Sequence, residues 1–420
     1  MPTHRSQESG RDVIVVGGGP AGLMAALSAA RRGASVRICE QLERPGLRLM
    51  ASGGGRGNLT NTLAPEAMMA RFGRRGRFIQ PALAGLGPVS LRRLLADLGV
   101  PTFSPDGFHV YPSSESAADV QQALVRAGED AGVDFRLACP VQSLAIEKGA
   151  AIGVHTSGGL VPAGRVILTT GGRSYPRLGG GEQGYALARQ AGHTVTLLLP
   201  ALAPLVIAEP WPPSCAGAAL PDVECTLSRE GRSAPAARGA LLFTHRGLSG
   251  PAALDLSGDV SARLQAGAPV AAFLNLAPGR RPSDWLQEIG QWAHVGGGKT
   301  VVRWLDDFLP RSVAAALAGA CGLPDSLTAS RISQEQRRRL ADHLAGWPVT
   351  ITGTGGFEQA MVTRGGVALD DIDPHTLSSR LVKGLHFAGE IVDLDGPCGG
   401  FNLQWAFSSG WLAGHSAAGA

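Results

Sequence analysis

Cysteine is scarce in this chain. Six residues in 420 (Cys39, Cys139, Cys215, Cys225, Cys321, Cys398) are spread widely, and no two form a C-x-x-C pair. That spacing argues against a dithiol redox motif and against a cysteine-based zinc site, and no metal is expected. No uninterrupted apolar run is long enough to span a bilayer, so no membrane partner is expected. The first nine residues lack the apolar core of a secretory signal, and the expected location is the cytoplasm. Excess charge of one sign is missing as well. The formal net charge is +4, and basic residues are scattered with few aromatics between them. A nucleic-acid platform is therefore not expected. The short run Arg337 to Arg339 reads as the solvated face of a helix.

Glycine is what the chain has in abundance, at 59 residues beside 28 prolines, which implies many tight turns and close backbone approaches. The length suits two or three domains with a sizeable core. One stretch, Asp12 to Glu40, organises the rest. Val13, Ile14, Val15 and Val16 read as a buried parallel strand, and an alanine-rich helix follows from Leu23 to Arg32. A second strand, Ser35 to Cys39, then ends on an acid. Between strand and helix, Gly17, Gly19 and Gly22 fit G-x-G-x-x-G. In that pattern the first glycine permits the tight turn, the second admits a pyrophosphate and the third lets the helix pack on the strand. The pyrophosphate would meet free N–H groups at the positive end of the helix dipole. Glu40, 18 residues past Gly22, is placed to accept hydrogen bonds from the adenosine ribose. Its charge disfavours a 2′-phosphate, hence NADP, at this site. The fingerprint alone leaves NAD and FAD open.

A second glycine cluster follows in Ser52-Gly-Gly-Gly-Arg56-Gly-Asn58-Leu-Thr60-Asn61, preceded by Arg48. Consecutive glycines expose N–H groups to a phosphate or a flat ring, and the two arginines offer positive charge. Amphipathic helices are expected at 88–99 and 115–132, with Asp106-Gly107 between them as a hairpin turn. Val141 to Ile146, Ala151 to Thr156 and Leu160-Val161 read as a meander. Arg165 to Thr170 reads as another strand, running into Gly171 and Gly172 and returning the chain to the first sheet. From about Leu197 proline-punctuated strands suggest a mostly-β insert, followed by helices at roughly 283–293, 299–308, 311–320 and 333–344. Gly296-Gly-Gly-Lys299-Thr300 resembles the end of a phosphate loop, but Ala293 stands where the glycine is required, so it reads as a linker.

Near the C-terminus a strand ends in Gly389-Glu390, a polar loop follows, and Gly399-Gly400 open a helix of small residues. A second helix N-terminus of this kind suits the N1/O2 edge of a reduced flavin. A one-fingerprint NAD enzyme has no evident need of it, so FAD is the expected cofactor.

These motifs resemble the YhiN/BaiN-like flavoproteins, a family of aminoacetone-oxidase-type FAD-binding enzymes. The resemblance rests on the opening fingerprint, on Ser52 to Asn61 and on Thr170-Gly-Gly-x-Ser174-x-Pro176. It extends to Phe243-Thr-His-x-Gly247-Leu-Ser-Gly-Pro251 and to Gly389-Glu390 through Gly399-Gly-Phe-Asn402-Leu-Gln404-Trp-Ala-Phe-Ser-Ser-Gly410. It implies an α/β fold: a Rossmann-type, glutathione-reductase-like FAD-binding domain (1–196 and 348–420) split by an inserted β-barrel-like domain (197–281) and a small helical subdomain (282–347). It also implies FAD contacts at Gly17, Gly19, Gly22, Glu40, Arg48, Arg56, Val141, Thr170, Gly171, Glu390 and Asn402, to which the flanking Ala21, Gly54, Gly389 and Leu403 are added. Two positions depart from the family pattern: Gly57 stands where cysteine is frequent, and Gly181-Glu182-Gln183-Gly184 replaces Gly-Asp-Gly.

The expected activity is that of an FAD-dependent oxidoreductase acting on a small organic substrate by hydride transfer at flavin N5, with NAD(P)H as a transient electron donor. A flavin-bound redox sensor or scaffold without metabolite turnover is the alternative. His245 is the histidine that the motif sets toward the seam between FAD domain and insert, and it is the weak catalytic candidate. Tyr111 and Tyr175 are further proton-donor candidates.

Overall fold

A computed structural model describes residues 11–227 and 235–419; the chain start inspected above for a signal sequence lies outside them. The chain divides into two compact units, Met1–Leu198 with Val362–Ala420, and Leu199–Met361. Among the described residues no helix is long and apolar enough to cross a membrane.

The first unit is built on a seven-stranded sheet. Arg11–Val16 lies at its centre, parallel to Val36–Cys39 on one side and to Gly159–Leu168 on the other. Asp134–Arg136 extends the sheet beyond Val36–Cys39, and Leu385–Phe387 pairs parallel with the end of Gly159–Leu168. Val13, Ile14 and Val15 are fully buried, as β-branched residues covered on both faces should be. Leu160-Val161 and Arg165 to Thr170, expected as separate strands, form one strand that ends at Leu168. Its first half pairs antiparallel with Ala150–Thr156 and its second half parallel with Arg11–Val16.

The second unit contains a closed barrel of antiparallel strands in the order Leu205–Ile207, Gly247–Ser249, Ala236–Thr244, Ala219–Thr226, Val270–Asn275 and Trp347–Thr354. Helices Pro282–Val295, Val301–Leu305, Arg311–Ala320 and Gln334–Gly346 share one hydrophobic core with the barrel. Five of the seven tryptophans lie in this unit. Trp211 stacks on Trp347 at 4.6 Å and Trp292 on Trp304 at 5.2 Å. The shared core is why barrel and helices form one unit, where the sequence suggests two. Likewise Trp347–Thr354 is a barrel strand, although the expected boundary at 348 assigns most of it to the FAD domain. Thr300, in the decoy glycine run, caps helix Val301–Leu305 by accepting from the Arg303 N–H at 3.3 Å.

Candidate functional site

The glycine turn has the shape its sequence requires. Gly17 sits at φ +100°, and a Cβ there would lie 2.8 Å from the Thr169 carbonyl oxygen. A Cβ at Gly22 would come within 1.9 Å of the Gly17 carbonyl oxygen, so helix and strand are in backbone contact. Gly19 caps helix Pro20–Ala30 and has open space around it. Pro20 at the first helical position lacks an N–H where none would be bonded within the helix. The Gly18 N–H donates to Glu40 Oε2 at 2.6 Å and the Leu42 N–H to Oε1 at 2.9 Å. Burial nevertheless raises the Glu40 carboxyl above its ordinary range, opposed by these N–H groups.

Arg48 comes next along the site. Its guanidinium pairs with Glu390 Oε2 at 2.5 Å and reaches Ser174 Oγ at 3.4 Å and the Gly172 carbonyl at 3.5 Å. Glu390 Oε1 accepts from the Thr363 N–H at 2.7 Å and from Ser174 Oγ at 3.2 Å. Thr363 Oγ1 in turn accepts from the Arg173 N–H at 2.8 Å. Four segments distant in sequence therefore meet on one carboxylate. Thr363 escapes the sequence reading; its only signal is a short strand, Val362–Arg364, running into Gly365 and Gly366.

The C-terminal helix Phe401–Ala418 packs along Pro20–Ala30 at near-backbone distance. A Cβ at Gly410 would lie 2.2 Å from the Ala21 carbonyl oxygen, and one at Gly414 would lie 2.1 Å from that of Ala25. Gly389, at φ +78°, touches Ala21 as well, its N–H donating to Ser409 Oγ and its carbonyl accepting from Trp405 Nε1. The Asn402 side chain holds the preceding loop rather than pointing free, accepting from the Gly396 N–H and donating to the Gly396 carbonyl, both at 2.8 Å. Its own and the Leu403 N–H lie in the first helical turn, where such groups have no partner within the helix. The second glycine cluster docks on the same turn. Asn61 Nδ2 donates to the Gly399 carbonyl at 2.9 Å, and a Cβ at Gly400 would lie 2.5 Å from the Thr60 carbonyl. Gly53, Gly54 and Gly55 all have positive φ, and around Gly54 and Gly55 the space is open.

These features fit a dinucleotide with a flat ring. One bare helix N-terminus stands at the Gly17 to Gly22 turn and a second at Gly400, and Thr60-Asn61, at the end of the segment that carries the open glycines, docks beside the latter. Thr170 Oγ1 and Asn58 Oδ1 are buried with no hydrogen-bond partner. Gly171, at φ +73°, lies next to Arg48 and Glu390, and Thr170 before it lies against Gly184.

The remaining predicted residues make these contacts. The Val141 carbonyl accepts from Gln183 Nε2 at 3.1 Å. Arg56 is turned toward Glu115, with which it pairs, and lies over the Tyr111 ring at 4.4 Å. Tyr175 has a left-handed backbone, and burial raises its hydroxyl. His245 is exposed on the turn joining Ala236–Thr244 to Gly247–Ser249 in the second unit, outside the set of residues these contacts unite. Gly57 sits at φ +79°, 3.2 Å from Ala117 for an added Cβ, so a cysteine there would be strained.

Residues 11–416 match the family model described as HI0933-like protein Rossmann domain. Among curated relatives, the 3-dehydro-bile acid delta(4,6)-reductase of Clostridium scindens is 32% identical, covering 96% of this chain and 98% of its own. The ribosomal RNA dihydrouridine synthase of Escherichia coli is 30% identical, covering 95% and 96%. Among solved structures, the fold is similar to that of the 3-ketosteroid-delta4-(5alpha)-dehydrogenase of Rhodococcus jostii, with TM-score 0.53, 18% identity and coverage of 100% and 99%. The 3-ketosteroid delta1-dehydrogenase of Sterolibacterium denitrificans gives TM-score 0.54 at 12% identity, covering 97% and 99%. The exclusion of nucleic acid expected from charge finds no support here, since one relative is named for a ribosomal RNA. By the extent of the match and the identity of these relatives, the chain belongs to the HI0933-like Rossmann-domain family.

Proposed function

We propose that this protein is an FAD-dependent oxidoreductase that reduces a carbon–carbon double bond conjugated to a carbonyl group. The observation that carries this reading is the pairing of the dinucleotide cradle with two full-length relatives named for such reductions. A 3-oxo-4,6-diene and the C5=C6 bond of uracil, which adjoins the C4 carbonyl, present the same electrophile. Each takes a hydride at a carbon made electrophilic by the conjugated carbonyl (C6 of uracil, C5 or the vinylogous C7 of the dienone) and a proton at the neighbouring carbon.

In this reading the pyrophosphate lies on the N-terminus of Pro20–Ala30, with Gly17, Gly19, Ala21 and Gly22 making room for it. Glu40 accepts from the adenosine ribose, and the Val141 backbone adjoins the adenine. Thr170 and Gly171 flank the pyrophosphate-to-flavin link, and Arg48, fixed by Glu390, supplies positive charge. Asn402 and Leu403 present helix N–H groups to the flavin N1/O2 edge, and Gly54 and Gly389 keep side chains out of the ring's way. Arg56 holds the loop margin through Glu115 and Tyr111. Bound FAD supplies the hydride, and the polypeptide supplies position and electrostatics. NAD(P)H serves as electron donor.

The test is anaerobic. The flavin of the purified holoprotein is identified, NADH and NADPH are each added, and bleaching is followed. The reduced protein then meets a 3-oxo-4,6-diene steroid or a uridine-bearing ribosomal RNA. Reoxidation by one of them supports the reading and chooses the substrate class. Inertness to both, with slow reaction toward oxygen alone, favours a redox sensor.

A further inference from the structure

The strand His109–Pro112 brings a histidine to the turn on which the flavin ring is expected to rest. Val110 and Pro112 are buried, so His109 and Tyr111, two residues apart, share the half-exposed face. Asn61 is the register partner of His109, and it is the residue that donates to the Gly399 carbonyl. A Cβ at Gly399 would lie 3.6 Å from His109 Nε2. Phe108 lies against the Phe401 ring at 6.3 Å, locking the strand to the start of the C-terminal helix.

The other ring nitrogen is committed. His109 Nδ1 lies 2.5 Å from Asp106 Oδ2, while Asp106 Oδ1 accepts from the Phe108 and His109 N–H groups at 2.9 and 2.8 Å. A carboxylate that fixes Nδ1–H sets the ring's orientation and leaves Nε2 to exchange protons. Asp106 is itself anchored at the hairpin turn by those two backbone donors. The charged and titratable groups around His109 are Asp106, Tyr111 at 6.3 Å between rings, and beyond it Arg56 with Glu115.

We propose that His109 is the catalytic proton donor of this site, with Asp106 as its positioning residue. The inference rests on the reductase reading above. As the C=C bond takes a hydride at its electrophilic carbon, the Nε2 proton passes to the neighbouring carbon. The ring remains as the Nδ1–H tautomer on Asp106, and solvent restores the proton. The electron pair comes from the flavin, which a nicotinamide dinucleotide re-reduces.

A binding experiment tests this without turnover. 4-Chlorophenol is titrated into the oxidised holoprotein near neutral pH. Its oxygen stands for the atom that receives the proton, and phenolate over a flavin gives a long-wavelength charge-transfer band. If Nε2–H donates to the bound phenolate, the band appears at neutral pH, well below the pH at which the free phenol ionises, and the phenol proton is released to the medium. His109→Gln should weaken binding about ten- to a hundredfold, as expected for loss of a hydrogen bond to a charged group, and move the band to alkaline pH. Asp106→Asn should shift the pH profile while keeping the band. Flavin content and melting temperature should match the parent protein in both variants. An unchanged affinity and an unchanged band pH profile in His109→Gln, or no band in the parent protein at saturating phenol, overturns the assignment. Failure of the reductase reading is seen separately, as reduced flavin that neither double-bond probe reoxidises.

Discussion

Gly410 lies against Ala21 so closely that a Cβ would sit 2.2 Å from the Ala21 carbonyl oxygen. Ala21 is in the first turn of the helix whose N-terminus faces the proposed pyrophosphate. The C-terminal helix is thus in backbone contact with the element that opens the fold, 389 residues earlier. In an exposed helix interior Gly→Ala would stabilise by about 1 kcal/mol. Here the added methyl has to displace backbone, and overpacking of that kind costs about 1–3 kcal/mol. Gly410→Ala should therefore lower the stability of the first unit by about 1 kcal/mol and loosen FAD. Chemical denaturation and flavin retention check this; a more stable variant would show that the seam has slack.

Glu40 couples FAD binding to acid pH. Burial raises its carboxyl, so the flavin-free protein holds that proton to a higher pH than a free glutamate would. Ribose hydroxyls donate more strongly to the carboxylate than to the protonated acid, so below the raised Glu40 titration binding draws the proton off. FAD affinity should rise as pH climbs from 4.5 through the raised Glu40 titration and then level off. Glu40→Gln should flatten the curve and weaken FAD at neutral pH. Calorimetry in two buffers of different ionisation heat measures the released proton directly.

The carboxylate of Glu390 is shared by Arg48, Ser174 and the Thr363 N–H. Glu390→Gln keeps the shape. If its remaining oxygen continues to serve Thr363 and Ser174, the new amide N–H₂ faces the Arg48 guanidinium, donor against donor. With both side chains about a fifth exposed, the loss should be about 2 kcal/mol. Ser174→Ala removes one neutral donor and should cost about 1 kcal/mol. Urea midpoints of the two variants relative to the parent test the order; equal midpoints would mean that the pair is not structural.

What the sequence discloses and what it hides follow one physical division. The turn from Gly17 to Gly22 is legible because its glycines answer to local geometry, a tight turn and a neighbouring strand within 25 residues. Thr363, the Gly410 and Gly414 seam and the Asp106–His109 pair are not, because each acquires meaning only from a partner that folding brings in. Asp106 illustrates this well: the Asp-Gly pair reads correctly as a turn, and the same carboxylate also holds an imidazole. Val349-Thr-Ile-Thr is recognisable as a strand, but only pairing with Val270–Asn275 on one side and Leu205–Ile207 on the other assigns it to the barrel.

His386 predicts an acid limit to stability. It is buried on strand Leu385–Phe387, and burial, with the charge of Arg165 adding to it, lowers its pKa to about 4 from the ordinary 6.5. The unfolded chain therefore binds this proton at a pH where the folded chain does not. Stability is complete above pH 6.5 and declines as pH falls from 6.5 toward 4, because protons then favour the unfolded state. At 1.36 kcal/mol per pH unit the loss by pH 4 is roughly 3 kcal/mol. His193, also lowered by burial, contributes with the same sign. His386→Leu should remove most of the slope between pH 6.5 and 4 and leave the smaller His193 component. Denaturant midpoints measured at half-unit pH steps on the flavin-free protein distinguish the two; an unchanged slope in the variant would place the acid sensitivity elsewhere.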